Sequence, residues 1–308
     1  MRICSFLPSS TEIVYALGLG DSLAGVTFEC DYPPEARRKP VVVNTKLPHG
    51  LSPEEIDRQV NEFAARGESL YRLDLEKLQR IQPDLIITQD LCHVCAATPH
   101  DLGAVLPNLA KPPRVLSLRP KCLEDVWQDI VSVGEAAGCE MEAVRLVAEL
   151  KGRVTRVRTL AAKSSFTRPR VLCLEWVSPP FVAGHWVPEM VVSAGGEDVL
   201  GKPGVPSYRA NWEQIIASQP EVILFMPCGY SAAQTYDEVR AFRFPEGWRD
   251  LPAVRNGRVY AVDANSYFSR PGPRLADGLE ILLNVIRGVR EVPIPPHSVI
   301  EIATARAA

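Results

Sequence analysis

The sequence QDLCHVCAATPH places Cys92 and Cys95 two residues apart, with His93 between them. Such soft donors suit a metal ion, and the dithiol suits redox exchange. A Cys4 zinc site needs a second pair at similar spacing, and a reactive dithiol needs its first cysteine at a helix N-terminus, whereas the helix here begins after Thr98. Loop cysteines that bind no metal are the simplest alternative.

Further soft donors follow other predicted strands, namely Cys30, His185 and Cys228. If these loops converge on Cys92 and Cys95, thiolates and an imidazole would together hold zinc or an iron–sulfur cluster. We therefore keep a shared metal site as one hypothesis for these five residues.

Other reactive patterns are weaker. Ser9, Ser10 and Thr11 open a predicted helix, where they would either cradle a phosphate or cap the helix. Glu175 and Asp263 could form a carboxylate pair, but no nucleophile with its base, P-loop or dinucleotide-binding glycine motif accompanies them. The pattern therefore favours a binding protein over an enzyme.

Short β-branched runs alternate with helical patterns in both halves of the chain, which predicts an α/β fold with mostly parallel sheets. Between them, residues 123–164 show apolar residues at steps of three and four, and Gly134 and Gly138 divide this stretch into two helices. We predict an N-terminal lobe at 1–121, a long connecting helix at 122–165 and a C-terminal lobe at 166–308. The segments IQPDLII and SQPEVIL recur at equivalent helix-to-strand junctions, which indicates two related lobes.

In open parallel sheets, ligands bind at the carboxyl ends of the strands. The loops that follow the predicted strands are rich in cysteine, histidine and aromatic residues. We expect them to line a cleft between two lobes that accepts a large, flat, partly apolar ligand.

Composition excludes several classes of function. The net charge is −3, from 34 basic and 37 acidic residues, so we expect no nucleic-acid partner. No apolar run approaches the roughly 18–20 residues that span a bilayer, so we expect no membrane insertion. The opening MRICSF lacks a leader pattern, and eight cysteines suit a reducing compartment. We therefore expect a cytoplasmic location, or a periplasmic one if a leader has been removed.

Several segments together resemble a known family. The segments PSSTEIVYALGLGDSLAGVT, CDYPPEA, SPPFVAGHWVPEMVVSAGGEDV and YFSRPGPRLADGLE, taken in order, are similar to the cobalamin- and siderophore-binding proteins of ABC importers, above all to the vitamin B12 branch. The resemblance implies two Rossmann-like lobes joined by a single long helix, and non-enzymatic ligand binding. Residue by residue, Tyr32, Phe268 and Arg270 match ligand-contacting positions of the family, and Trp176 and Tyr208 lie one place from such positions.

Our leading hypothesis is that the chain binds cobalamin or a related corrinoid or tetrapyrrole. The residues expected to contact the ligand are Tyr32, Glu175, Trp176, His185, Trp186, Tyr208, Phe268 and Arg270. All of them follow predicted strands except Tyr208, which the resemblance supplies. Given the resemblance, His185 would serve as an axial ligand to a cobalt or iron centre or as a hydrogen-bonding partner of the ligand's amide rim.

Two rival hypotheses remain. One is a metal- or cluster-bearing enzyme or sensor that uses the cysteines and His185, and the other is an importer component whose signal has been removed. The resemblance implies docking to a permease through an acidic residue on each lobe, Glu189 and Asp101 in this sequence. A cytoplasmic protein would meet no permease, so docking is not part of the leading hypothesis.

Overall fold

The structure, a computed structural model, describes residues 1–48, 50–90, 99–103, 105–164 and 167–303. The chain forms two compact units. The first comprises Met1–Pro120 and Glu124–Ala148, and the second comprises Lys121–Leu123 and Glu149–Ala308.

The first unit is built on a six-stranded sheet in the order β4-β3-β2-β1-β5-β6. Its elements along the chain are β1 (Ile3–Ser5), α1 (Pro8–Ala16), β2 (Leu23–Thr27), β3 (Val41–Thr45), α2 (Pro53–Ala65), β4 (Tyr71–Leu73), α3 (Leu75–Ile81), β5 (Leu85–Gln89), α4 (Pro99–Leu102) and β6 (Arg114–Leu118). All strand pairs are parallel except β3 with β4. The central strands β1 and β5 are buried throughout, which explains why they read as continuous apolar runs rather than alternating ones.

The second unit is built on a seven-stranded sheet in the order β10-β8-β7-β11-β12-β13, with β9 paired to β7. Its elements are β7 (Arg170–Val177), β8 (Pro180–Val182), α7 (Val187–Ser193), β9 (Glu197–Asp198), β10 (Tyr208–Arg209), α8 (Trp212–Ala217), β11 (Val222–Phe225), α9 (Ala232–Ala241), α10 (Pro252–Arg255), β12 (Val259–Val262), α11 (Ala264–Tyr267), α12 (Leu275–Arg287) and β13 (Val299–Glu301). The core strands β7, β11 and β12 are parallel, whereas β8, β10 and β13 are antiparallel to their neighbours. The predicted α/β class with mostly parallel sheets is confirmed.

Two helices follow the first sheet, α5 (Leu123–Ala137) and α6 (Glu140–Ser164). The predicted division falls at Gly138, whose φ of +73° is the left-handed conformation that glycine adopts without steric cost. In α6, the residues up to Ala148 belong to the first unit and those from Glu149 to the second.

Helix α5 carries an unusual carboxylate. The Oδ2 atom of Asp129 is buried and has no hydrogen-bond partner among the described residues. Burial, reinforced by the neighbouring Asp125 carboxylate, raises the pKa of Asp129 to about 7.

The repeated glutamine–proline–acid junctions have the same geometry in both units. Gln82 and Gln219 end their helices with φ values of 48° and 43°. Two residues later, Asp84 and Glu221 each accept a hydrogen bond of 2.8 Å from the backbone amide at or just before the start of the first strand of their unit. The motif therefore ends a helix and ties the incoming strand to the first strand.

Within the described residues, no helix combines the length and the apolarity needed to span a membrane.

Candidate functional site

The loop that carries His185 lies after β8 and is held by its own backbone. The His185 amide donates to the Val205 carbonyl at 2.7 Å, and the Gly204 amide donates to the His185 carbonyl at 2.9 Å. A Cβ on Gly184 would lie 2.2 Å from the Ser207 amide nitrogen, so only glycine permits this close approach. His185 itself has a φ of 52°, which is uncommon for a residue with a side chain.

The His185 imidazole is half-buried and suited to bind as a neutral ligand. Burial lowers its pKa, and the nearby Lys121 ammonium group lowers it further. The imidazole is therefore neutral near pH 7, the form that offers a nitrogen lone pair to a metal centre or a donor group.

An aromatic pair lies at the carboxyl ends of β7 and β11. The rings of Trp176 and Tyr230 meet edge to face, with centroids 5.8 Å apart and an interplanar angle of 72°. The Trp176 indole nitrogen is buried, and no described residue accepts a hydrogen bond from it. Trp176 therefore combines a partly exposed ring with an unused hydrogen-bond donor.

Trp186 and Phe268 lie deeper in the structure. They are 6% and 2% exposed, and the Trp186 indole Nε1 donates to the Phe268 carbonyl at 2.8 Å. The His185 and Trp186 rings are neighbours, with centroids 5.6 Å apart. In this structure these two residues support the His185 loop from beneath, and the stacking role expected of them stays a prediction.

Arg270 is also buried, with 7% exposure. Its Nη2 atom donates to the Asn265 Oδ1 at 2.8 Å, and the Asn265 amide donates to the Tyr230 carbonyl at 3.1 Å. Asn265 thus connects the guanidinium group of Arg270 to the loop of the aromatic pair.

The remaining residues expected in the second unit lie on the same loops or at the edge strand. The Cys228 amide donates to the Glu175 carbonyl at 3.4 Å, and Cys228 is exposed. Tyr208 is 39% exposed, and its hydroxyl donates to the Leu200 carbonyl at 3.2 Å.

In the first unit, Tyr32 follows β2 and is 45% exposed. Cys30, close before it in the sequence, is buried, and its Sγ lies 3.0 Å from the Thr11 Oγ1 within a chain of hydroxyl groups that includes Ser5 and Ser10. Helix α1 begins at Pro8, so Ser9 lies inside its first turn and does not cap it.

The hypothesis of a shared metal site gains no support. Among the residues that the structure describes, no group of three or more His, Cys, Asp or Glu side chains could hold a metal ion. Cys92 and Cys95, like His93, lie outside the described residues, so their role stays a prediction.

The carboxylate of Glu189, expected to dock a permease, makes contacts inside the second unit. Its Oε2 accepts a hydrogen bond of 3.0 Å from the Leu123 amide at the start of α5, and its Oε1 lies 3.7 Å from the Arg158 Nη2. It therefore caps a helix start, where its charge is favourable.

Sequence reasoning did not single out Tyr230 or Asn265 as site residues. Both follow the carboxyl ends of core strands, β11 and β12, which was the available signal. Tyr230 and Asn265 contact Trp176 and Arg270 because their strands are neighbours in the sheet, although they are distant in sequence. The position after a strand therefore could not identify these two residues.

The chain is similar to known proteins over most of its length. Residues 3–266 match the family described as periplasmic binding protein. The vitamin B12-binding protein of Vibrio cholerae is 26% identical over 283 residues, which cover 91% of this chain and 86% of that protein.

Two solved structures show the same fold. The periplasmic heme-binding protein RhuT from Roseiflexus sp. RS-1, in its apo form, has a TM-score of 0.70 and 26% identity, over 94% of this chain and 98% of that one. The periplasmic vitamin B12-binding protein BtuF of Vibrio cholerae has a TM-score of 0.68 and 23% identity, again over 94% and 98%.

These matches confirm the family resemblance and the expectation of a binding protein rather than an enzyme. The matched family is described as periplasmic, and so is RhuT, so the comparisons fit the periplasmic alternative and do not support a cytoplasmic location. The chain belongs to the periplasmic binding protein family, whose members are the non-enzymatic substrate-binding components of transport systems.

Proposed function

We propose that the chain is the substrate-binding component of an importer and that its ligand is cobalamin or a related metallated tetrapyrrole. The observation that carries this proposal is the grouping of a neutral imidazole, an aromatic pair and a guanidinium group at the end of β7 and on the loops after β8, β11 and β12 of one unit. The names of the relatives support the ligand class, since one is a vitamin B12-binding protein and another a heme-binding protein.

Each group has a distinct role in this proposal. Trp176 offers an apolar ring face to a flat macrocycle. His185 offers a nitrogen lone pair to the metal of the macrocycle. Arg270, held by Asn265, donates to amide or carboxylate groups at the rim, and Tyr32 and Tyr208 supply exposed rings.

The proposed role as a substrate-binding component also implies where the protein works and which partner it meets. A binding component of this kind works outside the cytoplasm and passes its ligand to a membrane permease. Fractionation of cells that express the complete gene should recover the protein outside the cytoplasm, and recovery in the cytoplasm alone would refute this part of the proposal.

Titration with cyanocobalamin, hydroxocobalamin and hemin, followed by visible spectroscopy, tests the ligand class. We expect at least one of them to bind with a Kd in the micromolar range or tighter, about 8 kcal/mol or more of binding free energy. Absence of binding by all three would refute the proposal.

Variants of two residues separate the roles. Trp176→Ala should weaken binding about tenfold through loss of ring contact, whereas Trp176→Phe should lose less because it keeps a ring. His185→Ala should abolish the spectral change of hydroxocobalamin or hemin and spare cyanocobalamin, in which cyanide occupies an axial position. Equal effects on all ligands would exclude metal ligation by His185.

A further inference from the structure

The second unit carries a pocket of about 500 Å³ that is separate from the loops described above. Three arginines line it, Arg158 on α6, Arg168 ahead of β7 and Arg287 at the end of α12, together with Glu189 on α7. Small and aliphatic side chains of α6 and α7 form the rest of its wall. We call this feature the arginine pocket.

Two helix faces bring these side chains together. On α6, Arg158 shares a face with Ala161 and Ala162, at steps of three and four. On α7, Glu189 shares a face with Val192 and Ser193 at the same steps. The pocket therefore lies between these faces of α6 and α7, and their short side chains leave it open.

The single acidic residue does not neutralise the pocket. The Oε1 of Glu189 is 3.7 Å from the Arg158 Nη2, longer than a hydrogen bond, and its other oxygen accepts from the Leu123 amide. Arg158 also donates through Nε to the Ser193 hydroxyl at 3.2 Å. Glu189 therefore offsets at most one of the three positive charges.

The position of Arg287 is fixed by the backbone. A Cβ on Gly195, whose φ is +86°, would lie 2.6 Å from the Arg287 Nε, so glycine makes room for the guanidinium group. The Nη1 atom of Arg287 donates to the Thr167 carbonyl at 2.6 Å. The group is therefore pre-organised beside the pocket.

Positive charges are concentrated around the arginine pocket, although the net charge of the chain is −3. Burial lowers the pKa of Arg287 from its usual value, and the positive charges of Arg168 and Arg258 lower it further. A helix C-terminus stabilises a cation, which accounts for Arg287 at the end of α12. Arg168, by contrast, lies on a loop and forms no ion pair or hydrogen bond with the part of the chain that the structure describes.

We infer that the arginine pocket binds a phosphate-type oxyanion. Guanidinium groups donate in a planar fork that matches phosphate oxygens, and an anion here would relieve the repulsion between Arg168 and Arg287. The oxyanion would come either from a free phosphate compound or from the headgroup of an anionic phospholipid, and the site is independent of the tetrapyrrole ligand proposed above.

The test uses the full chain and two probes, pyrophosphate in solution and vesicles of phosphatidylglycerol, with phosphatidylcholine vesicles as the neutral comparison. Binding is measured by calorimetry and by co-sedimentation at low ionic strength and again at about 0.15 M, where the Debye length is about 8 Å. Arg168→Gln removes one exposed charge without breaking a hydrogen bond or ion pair to any described residue, and Arg249→Gln removes an exposed arginine of the same unit outside the pocket.

We expect pyrophosphate or phosphatidylglycerol vesicles to bind, and Arg168→Gln to weaken that binding at least about fivefold, which is about 1 kcal/mol, while Arg249→Gln leaves it unchanged. Binding of pyrophosphate would identify a soluble phosphate compound as the source, and binding of the vesicles alone would identify a lipid headgroup. Failure of both probes, or equal losses in both variants, would overturn the inference.

Discussion

Arg153 of α6 makes the most extensive ionic contact in the described part of the second unit. Its Nη2 lies 2.6 Å from the Asp277 Oδ1 and 2.6 Å from the Glu280 Oε2, and its Nε donates to the Glu280 Oε1 at 2.9 Å. Burial opposes the charge of Arg153, but the hydrogen bonds that Arg153 donates to the Glu280 and Asp277 carboxylates outweigh it and raise the pKa of Arg153. These contacts attach the C-terminal part of α6 to α12.

We predict that Arg153→Met destabilises the second unit by about 2–3 kcal/mol. Removing one partner of a buried ion pair costs about 3–5 kcal/mol, because a charge is left uncompensated. The Arg153 and Asp277 side chains keep 29% and 26% exposure and Glu280 keeps 11%, so solvent screens part of this cost. Methionine retains the apolar stem of the arginine, which limits the loss of packing.

Urea and thermal unfolding followed by circular dichroism measure the effect, which corresponds to a fall in Tm of about 5–10 °C. Arg156→Met, an exposed arginine one turn along the same helix, is the matched control and should change stability by less than about 0.5 kcal/mol. Adding Glu280→Gln to Arg153→Met should restore about 1 kcal/mol or more, because it removes the more buried of the two carboxylates left without a cation. Equal losses in the Arg153 and Arg156 variants would refute the reasoning.

Three further predictions concern other positions. The pKa of Asp129 is higher in the folded than in the unfolded protein, so the contribution of this carboxyl to stability is complete below about pH 4 and is lost as pH rises through about 7. Asp129→Asn should therefore be more stable than the unchanged protein by about 2–4 kcal/mol at pH 8 and should lose this difference near pH 4. Urea titrations across this pH range would show whether it does. Gly184→Ala should displace the His185 loop and weaken ligand binding at least about tenfold, whereas Gly152→Ala on exposed α6 should bind normally and stabilise the helix by about 0.5–1 kcal/mol. Exposed Cys228 should react with an alkylating reagent in the native protein before buried Cys4, whose pKa burial raises to about 12, and mass spectrometry of the labelled peptides would reveal any reversal of this order.

Local chemistry made the core of the fold predictable. In both glutamine–proline–acid junctions, the glutamine and proline end a helix just before a strand. The acidic residue that follows them, Asp84 or Glu221, accepts a hydrogen bond from the backbone amide of Arg2 or Arg170. Gly138 divides the two long helices for an equally local reason, since its left-handed backbone suits glycine. The edge strands β8, β10 and β13 were not predicted, because short antiparallel strands depend on partners far along the chain.

The sequence by itself therefore determined the alternation of strands and helices, the family resemblance and the loops that carry unusual side chains, because apolar periodicity and helix-ending residues act over a few positions. Only the tertiary structure decided how those side chains are used. It buried Trp186 and Phe268, turned Glu189 towards the start of α5 and gathered three arginines into one pocket. Burial and charge pairing arise between residues far apart in sequence, and no local pattern records which distant neighbour a side chain will meet.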